Sequence, residues 1–158
     1  MTALFPPARL GGEEVDHGYK GKGSTVHLVT DGKGQPLSIQ LTSAKGDERK
    51  QVECLIRTVE FLLPENEIVF LEADKGYDSK NLRFQLLLEG IYPLIPYRGN
   101  RSSIAKWVKR VRWKVERAFS WIKRGCRRVA TRWERLADAY AGIVMVALCY
   151  FWVRKIVG

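Results

Sequence analysis

The chain has 158 residues, enough for one domain with a hydrophobic core and too few for two domains of ordinary size. Hydrophobic residues make up 46% and charged residues 28%, which excludes a disordered chain. Its three Cys form no CxxC pair, so they exclude a disulfide framework and a cysteine zinc site and fit a reducing, cytoplasmic setting.

The net charge of +10 predicts a polyanionic partner, and most of it lies in one segment. Residues 98–135 contain 14 Lys or Arg against two acids, Glu116 and Glu134, whereas the rest of the chain has 13 basic and 15 acidic residues. Such concentration indicates a nucleic-acid-binding face. A solvated basic helix is the alternative.

In chain order, residues 1–24 hold Pro and Gly pairs without periodicity, and we expect them to be irregular. TVHLV (25–29) and QPLSIQLT (35–42) flank the turn-forming DGKG and predict a β-hairpin. A helix follows, with Asp47 as its expected N-cap and an apolar i, i+3, i+4 pattern from Val52 to Leu63, and Pro64 ends it.

The middle of the chain alternates strands and helices. EIVFLEAD (67–74) predicts a buried strand that ends on Asp74, KNLRFQLLLEG a short helix closed by Gly90, and IYPLIPY (91–97) an edge strand. Two helices are expected after it, at about 104–124 and 136–155. The order β-β-α-β-α-β-α-α predicts an α/β or α+β domain in which helices cover a sheet.

The last helix contains the apolar run AYAGIVMVALCYFWV (139–153), the only part of the sequence that suggests a membrane. A spanning helix needs about 20 such residues. The run has 15, and Gly142 interrupts it. We therefore expect a buried core helix, and we expect no membrane partner.

Projection of the 104–124 helix at about 100° per residue separates three faces. One is an apolar stripe, and beside it lies a polar line of Arg112, Glu116 and Lys123. The third, here called the basic-aromatic face, carries cations that can neutralise phosphates and indoles that can stack on bases. Alternatively, its two Trp pack on another helix. The stripe consists of Val108, Val111, Val115, Ala118, Phe119 and Ile122, and the basic-aromatic face of Lys106, Arg110, Trp113, Arg117, Trp121 and Arg124.

Asp74 and Glu116 are candidates for a metal-binding pair. Polar groups at the carboxyl ends of strands commonly line an active crevice, and Glu116 lies at the margin of the apolar stripe that would face the sheet. Converging carboxylates suit Mg²⁺, which meets substrate phosphate and can activate an attacking oxygen. The alternatives are a turn-capping role for Asp74 beside Gly76 and an ion pair of Glu116 with Arg112.

Several segments resemble, in order and from about Phe5 to near the C-terminus, the DDE transposases of bacterial insertion sequences, of the IS5 type within the IS4-like group. They are GYKGKGSTVHLVTDGKGQPL, ADKGYDS, IPYRGNR, VERAFSWIKR and RRVATRWERL. The resemblance implies one catalytic domain over residues 1–158 with a ribonuclease-H-like mixed sheet flanked by helices. It also implies Mg²⁺- or Mn²⁺-dependent cleavage at element ends, strand transfer into target DNA, and self-association or pairing with a longer transposase.

By motif, Asp74 matches the second Asp of the family's Asp-Asp-Glu triad, and Glu116 matches its Glu. Arg112 and Lys123 match the Arg and Lys of the family's Tyr-Arg-Glu-Lys pattern, while Lys109 replaces its Tyr. No acid occurs in the ten residues before Gly11, where the first Asp is expected. We therefore expect the first strand and the first catalytic carboxylate to be absent. A catalytically silent fragment that binds DNA or pairs with a transposase is the alternative function.

Overall fold

The computed structural model describes residues 1–18, 20–47, 49–64, 67–97 and 113–157. Its centre is the long strand β3, which pairs along one edge with the short strand β1 and along the other with β2 and β4, all antiparallel. Asp31 holds the β3–β4 turn by accepting hydrogen bonds from the backbone N–H groups of Lys33 and Gln35. The predicted hairpin is confirmed. The four strands are β1 (Thr2–Leu4), β2 (Asp16–Gly18), β3 (Gly21–Thr30) and β4 (Pro36–Ser43).

The expectation of irregular structure over residues 1–24 is wrong, because β1 and β2 lie there. A short strand does precede the hairpin, although we expected the first strand to be absent: β1 pairs from Thr2 opposite Leu28 to Leu4 opposite Val26. A strand of three residues shows no sequence periodicity, and its conformation is fixed by its partner. Pro6 and Pro7, which lack a donor for the ladder, follow it directly.

A parallel pair follows the antiparallel sheet. Strand β5 (Val69–Glu72) pairs with β6 (Ile91–Leu94), and helix α2 (Lys80–Leu88) connects them. Gly90 has a φ of +74°, as a residue that closes a helix often does. The prediction that this strand is buried is only partly confirmed: Val69 and Leu71 are partly buried against the core, whereas Phe70 is 55% exposed and contacts the exposed Tyr92 edge to face.

Helix α1 (Lys50–Arg57) begins three residues after Asp47. The N-cap prediction for Asp47 is therefore wrong: its carboxylate accepts from the backbone N–H and side chain of Arg49, which itself occupies the N-cap position. The apolar pattern is confirmed as far as Val59, since Val52, Leu55, Ile56 and Val59 are buried, but Leu62 is 52% exposed. The helix ends at Arg57, so the prediction that it continues to Pro64 is wrong. A 3₁₀ turn over Glu60–Leu62 then leads to Pro64.

The C-terminal third forms helices α3 (Trp113–Gly125) and α4 (Ala137–Val157), with a 3₁₀ turn at Arg127–Ala130 between them. The apolar stripe is confirmed where it is described. Val108 and Val111 lie outside the described residues. The other four stripe residues, Val115, Ala118, Phe119 and Ile122, are all buried.

Strand β3 lies between two helical layers, which explains its nearly continuous burial. Because side chains alternate along a strand, Val26 and Leu28 point to one face and His27 and Val29 to the other. The first pair joins a core with α3 and α4, and Val29 joins a core with α1, α2 and the parallel strands. The chain is thus a mixed α/β structure with antiparallel and parallel strands and helices on both faces of the hairpin.

Helix α4 is longer and more exposed than the sequence predicted. It has 21 residues, and its most apolar 18-residue window has a mean hydropathy of 1.6 with only 22% of the window buried. By length and composition alone this helix could cross a membrane, but a single helix of this kind is weak evidence for a membrane protein. The prediction of a buried core helix holds for one side, which carries Tyr140, Val144, Ala147 and Leu148, and is wrong for the side that exposes Met145, Val146, Val153 and Ile156.

Candidate active site and nucleic-acid interface

Asp74 lies two residues beyond the carboxyl end of β5 and is partly buried. Its Oδ1 accepts a hydrogen bond of 2.7 Å from the backbone N–H of Lys75, so Asp74 caps the 3₁₀ turn Lys75–Tyr77. The capping role was one of the two sequence-based alternatives. It also fixes the orientation of this carboxylate at the edge of the sheet.

The end of β5 and helix α3 face each other across a small cavity of about 100 Å³. Leu71 and Glu72 line it from β5, and Lys114 and Val115 line it from α3. The elements that carry Asp74 and Glu116 therefore meet at one edge of the molecule, with each carboxylate two residues or fewer from a lining residue.

Electrostatics at this edge are dominated by burial. The Met1 amino group donates a 2.6 Å hydrogen bond to the Glu72 carbonyl oxygen, and burial lowers its pKa to about 6 while the carboxylates of Glu72 and Asp74 act in the opposite direction. Burial likewise raises the pKa of the Glu72 carboxyl, against the opposing effects of the amino group and Lys114. The start of β1 thus lies close to both acids.

The donor set at this edge suits a hard divalent cation in chemical type, since Asp74 and Glu116 offer carboxylate oxygens. Glu116 is exposed on α3, and Asp74 is already oriented by Lys75. Within the described ranges, however, no group of three or more His, Cys, Asp or Glu side chains lies close enough together to hold a metal ion.

Helix α3 is fixed to the β3–β4 turn by three contacts. Lys114 Nζ donates to the Gly32 carbonyl at 2.7 Å, and an Arg117 Nη donates to the Lys33 carbonyl at 3.1 Å. Gly34 has a φ of +82°, and a Cβ there would lie 3.0 Å from the Lys114 carbonyl oxygen. The turn and the helix therefore approach at a distance that only glycine permits without displacement.

The basic-aromatic face contains a stack of alternating cation and rings. The Arg117 guanidinium lies 4.5 Å from the Trp113 ring centroid and 4.6 Å from that of Trp121. Trp121 stacks in turn on Phe151 of α4, with centroids 5.6 Å apart and an interplanar angle of 23°. Packing on the C-terminal helix, the alternative that we left open, is thus what Trp121 does, whereas Trp113 stays 49% exposed.

The remaining predicted site residues are less constrained or are not described. Lys123 is half-buried on α3. Arg124 is exposed and donates to the carbonyl and hydroxyl oxygens of Ser120, one turn earlier. Lys106, Arg110 and Arg112 lie outside the described residues.

Sequence reasoning missed Arg132, which is completely buried. Its guanidinium donates to the Ser24 hydroxyl at 2.6 Å and to the carbonyl oxygens of Glu14, Glu134 and Arg135. Burial lowers its pKa, but an arginine stays charged. The motif RRVATRWERL looks uniformly basic and exposed, so no charge pattern distinguishes this arginine from its neighbours.

His27 is the second residue that sequence reasoning left without a role. It is fully buried on the opposite face of β3, with Nε2 2.9 Å from Thr42 Oγ1 and Nδ1 3.2 Å from the Tyr77 hydroxyl. Burial lowers its pKa to about 4, so the ring is neutral at physiological pH.

Comparison with known families identifies the class of protein. The transposase DDE domain family model matches residues 7–152, and the chain belongs to this family. The resemblance to bacterial insertion-sequence transposases seen in the sequence is confirmed.

One curated relative narrows the class. The chain is 34% identical over 134 residues to the putative transposase for insertion sequence element IS402 of Burkholderia cepacia. The match covers 80% of this chain and 61% of that protein, so the chain spans less than two thirds of its relative. No solved structure matches the chain.

Proposed function

We propose that the chain is a single catalytic domain of an insertion-sequence transposase, which cleaves phosphodiester bonds at element ends and transfers the strands into target DNA. The proposal includes a ribonuclease-H-like arrangement, in which the antiparallel sheet and the separate parallel pair β5–β6 adjoin where the Met1 amino group bonds the Glu72 carbonyl oxygen. The observation that carries the proposal is the shared edge where the end of β5 and helix α3 line one cavity.

In this proposal Asp74 and Glu116 hold Mg²⁺ or Mn²⁺, with water and substrate phosphate as further oxygen ligands. The bound cation would supply stabilisation of the charge that develops on the phosphoryl group and on the attacking oxygen. Asp74 is oriented for this role by its bond to the Lys75 backbone. Arg112 and Lys123, which flank Glu116 in sequence, hold the terminal phosphates.

The basic-aromatic face binds the DNA backbone in the same proposal. Lys106, Arg110 and Arg124 contribute charge, and Trp113 offers a half-exposed ring. Trp121 and Arg117 contribute indirectly, because they position Trp113 and Phe151 by stacking. The chain acts on DNA in the cytoplasm without a membrane, and it associates with itself or with a longer transposase.

The test is cleavage of duplexes that carry the ends of the element, with added Mg²⁺ or Mn²⁺. Asp74→Asn and Glu116→Gln are expected to abolish metal-dependent cleavage. Glu53→Gln, at a partly exposed acid of α1 that pairs with Arg57, is the matched control and should keep it. Retention of cleavage by either site variant would refute the assignment of the pair.

A second candidate is a DNA-binding or transposase-pairing module without catalysis. The lack of a three-carboxylate cluster among the described residues favours it. It predicts no cleavage by the wild-type chain and DNA binding that is unchanged in Asp74→Asn and Glu116→Gln. Binding should then be lost when Arg110 and Arg124 are changed to Gln, because these cations of the basic-aromatic face would no longer neutralise phosphates.

A further inference from the structure

A groove of about 480 Å³ lies between helices α3 and α4, away from the cavity at the end of β5. This volume is within the range of sites that bind small organic molecules. The side chains at its floor, Ile122 and Ala147, are buried, so the groove is part of the packed fold. Its walls are formed by Trp121, Arg124, Tyr150, Phe151, Arg154 and Lys155.

The aromatic wall of the groove is ordered by the molecule itself. Trp121 stacks on Phe151, and the Arg117 guanidinium lies 4.6 Å from the centre of the Trp121 ring. Tyr150, 48% exposed, packs beside the backbone of Gly125, where an added Cβ would lie 3.1 Å from its ring. A flat ligand would therefore meet aromatic surfaces whose positions are already fixed, which reduces the entropy lost on binding.

The rim of the groove is strongly positive. Arg124, Arg154 and Lys155 line it, and none of its nine lining residues is acidic. In the part of the chain that the structure describes, none of these three cations forms an ion pair. The Arg154 guanidinium lies 5.9 Å from the centre of the Tyr150 ring, so one cation and one ring are adjacent at the mouth.

We propose that the groove between α3 and α4 binds one unpaired nucleotide of the DNA, with its base against the aromatic wall and its phosphate at the cationic rim. Stacking with adjacent Arg or Lys contacts is how proteins hold single-stranded bases, and it tolerates any base. A purely apolar partner would leave three cations without neutralisation. This inference rests on DNA as the partner in the proposed function, and it adds a preference for DNA with an unpaired nucleotide.

The test compares two short duplexes that are identical except for one unpaired 2-aminopurine nucleotide, with affinity measured by fluorescence anisotropy at fixed salt. The wild-type chain is expected to bind the duplex with the unpaired nucleotide about tenfold more tightly, and its 2-aminopurine fluorescence should be quenched. Tyr150→Ala and Lys155→Gln should remove most of this preference. The matched controls should keep the preference. They are Tyr92→Ala, at a 51% exposed residue of β6, and Lys50→Gln, at the start of α1.

The outcomes separate this inference from the proposed function. If the wild-type chain binds neither duplex, the proposed function fails. If it binds both equally, or if Tyr150→Ala and Lys155→Gln leave the preference intact, the nucleotide groove is refuted while DNA binding stands. If Tyr150→Ala instead lowers the molar mass in light scattering and leaves the preference unchanged, the groove joins copies of the chain, and the inference is also refuted.

Discussion

The two faces of β3 each bury one basic side chain, and they accommodate it in opposite ways. On the face that packs against α1 and α2, His27 has lost its proton and bonds two hydroxyl groups. On the face that packs against α3 and α4, Arg132 keeps its charge and is surrounded by carbonyl oxygens and Ser24. The difference follows from intrinsic basicity: the imidazole of His27 loses its proton on burial, whereas the Arg132 guanidinium keeps its charge and needs oxygen acceptors.

The largest expected effect concerns Arg132. Arg132→Ala would leave several buried carbonyl groups without a donor, and we expect it to reduce the free energy of unfolding by about 3 kcal/mol, measured by denaturant titration. Arg127→Ala is the control, because Arg127 is an exposed basic residue of the neighbouring 3₁₀ turn, and it should cost below about 0.5 kcal/mol. Equal losses of unfolding free energy in the two variants would mean that the buried hydrogen bonds of Arg132 do not stabilise the fold.

The second prediction concerns His27 and pH. The pKa of His27 is about 4 in the folded chain and about 6.5 when unfolded, so the unfolded state binds more protons between these values. Stability contributed by neutral His27 is complete above pH 6.5 and is lost as the pH falls towards 4, by up to about 3 kcal/mol. The free energy of unfolding, measured by denaturant titration at each pH, should therefore rise more steeply with pH in the wild type than in His27→Gln. Parallel pH profiles would contradict a buried neutral ring.

The smallest expected effect on stability is that of Lys123→Ala on helix α3. Lys123 lies off the apolar stripe, so Lys123→Ala should change thermal stability by less than about 0.5 kcal/mol. It should lower affinity for terminal DNA and reduce the salt dependence of binding by about one counterion. Lys80→Ala, on α2 in the other layer, is the matched control. A loss of stability in proportion to the loss of binding would assign Lys123 a structural role instead.

Periodicity in the sequence was sufficient for elements that bury a regular stripe. The start of α1 and the stripe on α3 were predicted because repeated apolar positions decide which face packs, whereas the hairpin was predicted from β-rich runs around DGKG and α2 from its closing Gly90. The strands β1 and β2 were missed because three residues carry no period, and the exposed side of α4 was missed because an apolar run does not reveal how much surface its neighbours cover. Arg132 could not be identified, since its burial depends on Ser24 and Glu14, more than a hundred residues earlier.

The same distinction applies to the candidate site: the sequence identified individual residues but not the contacts between helices. Motif resemblance identified Asp74 and Glu116, and the helical projection identified the basic-aromatic face. Neither could show that the Arg117 guanidinium lies close to the rings of Trp113 and Trp121. Neither could show that Trp121 stacks on Phe151, because that contact depends on the packing of α3 against α4. The groove lined by Tyr150 and Lys155 follows from the same packing.

The β3–β4 turn has a practical consequence for engineering. A tight surface turn between two strands is normally a good position for an epitope tag, a fluorophore or a split point. Here Gly32 and Lys33 accept hydrogen bonds from α3, and Gly34 lies against the Lys114 backbone. A label inserted at this turn would displace the helix that carries Glu116, so probes belong on the exposed surface of α1 or α2.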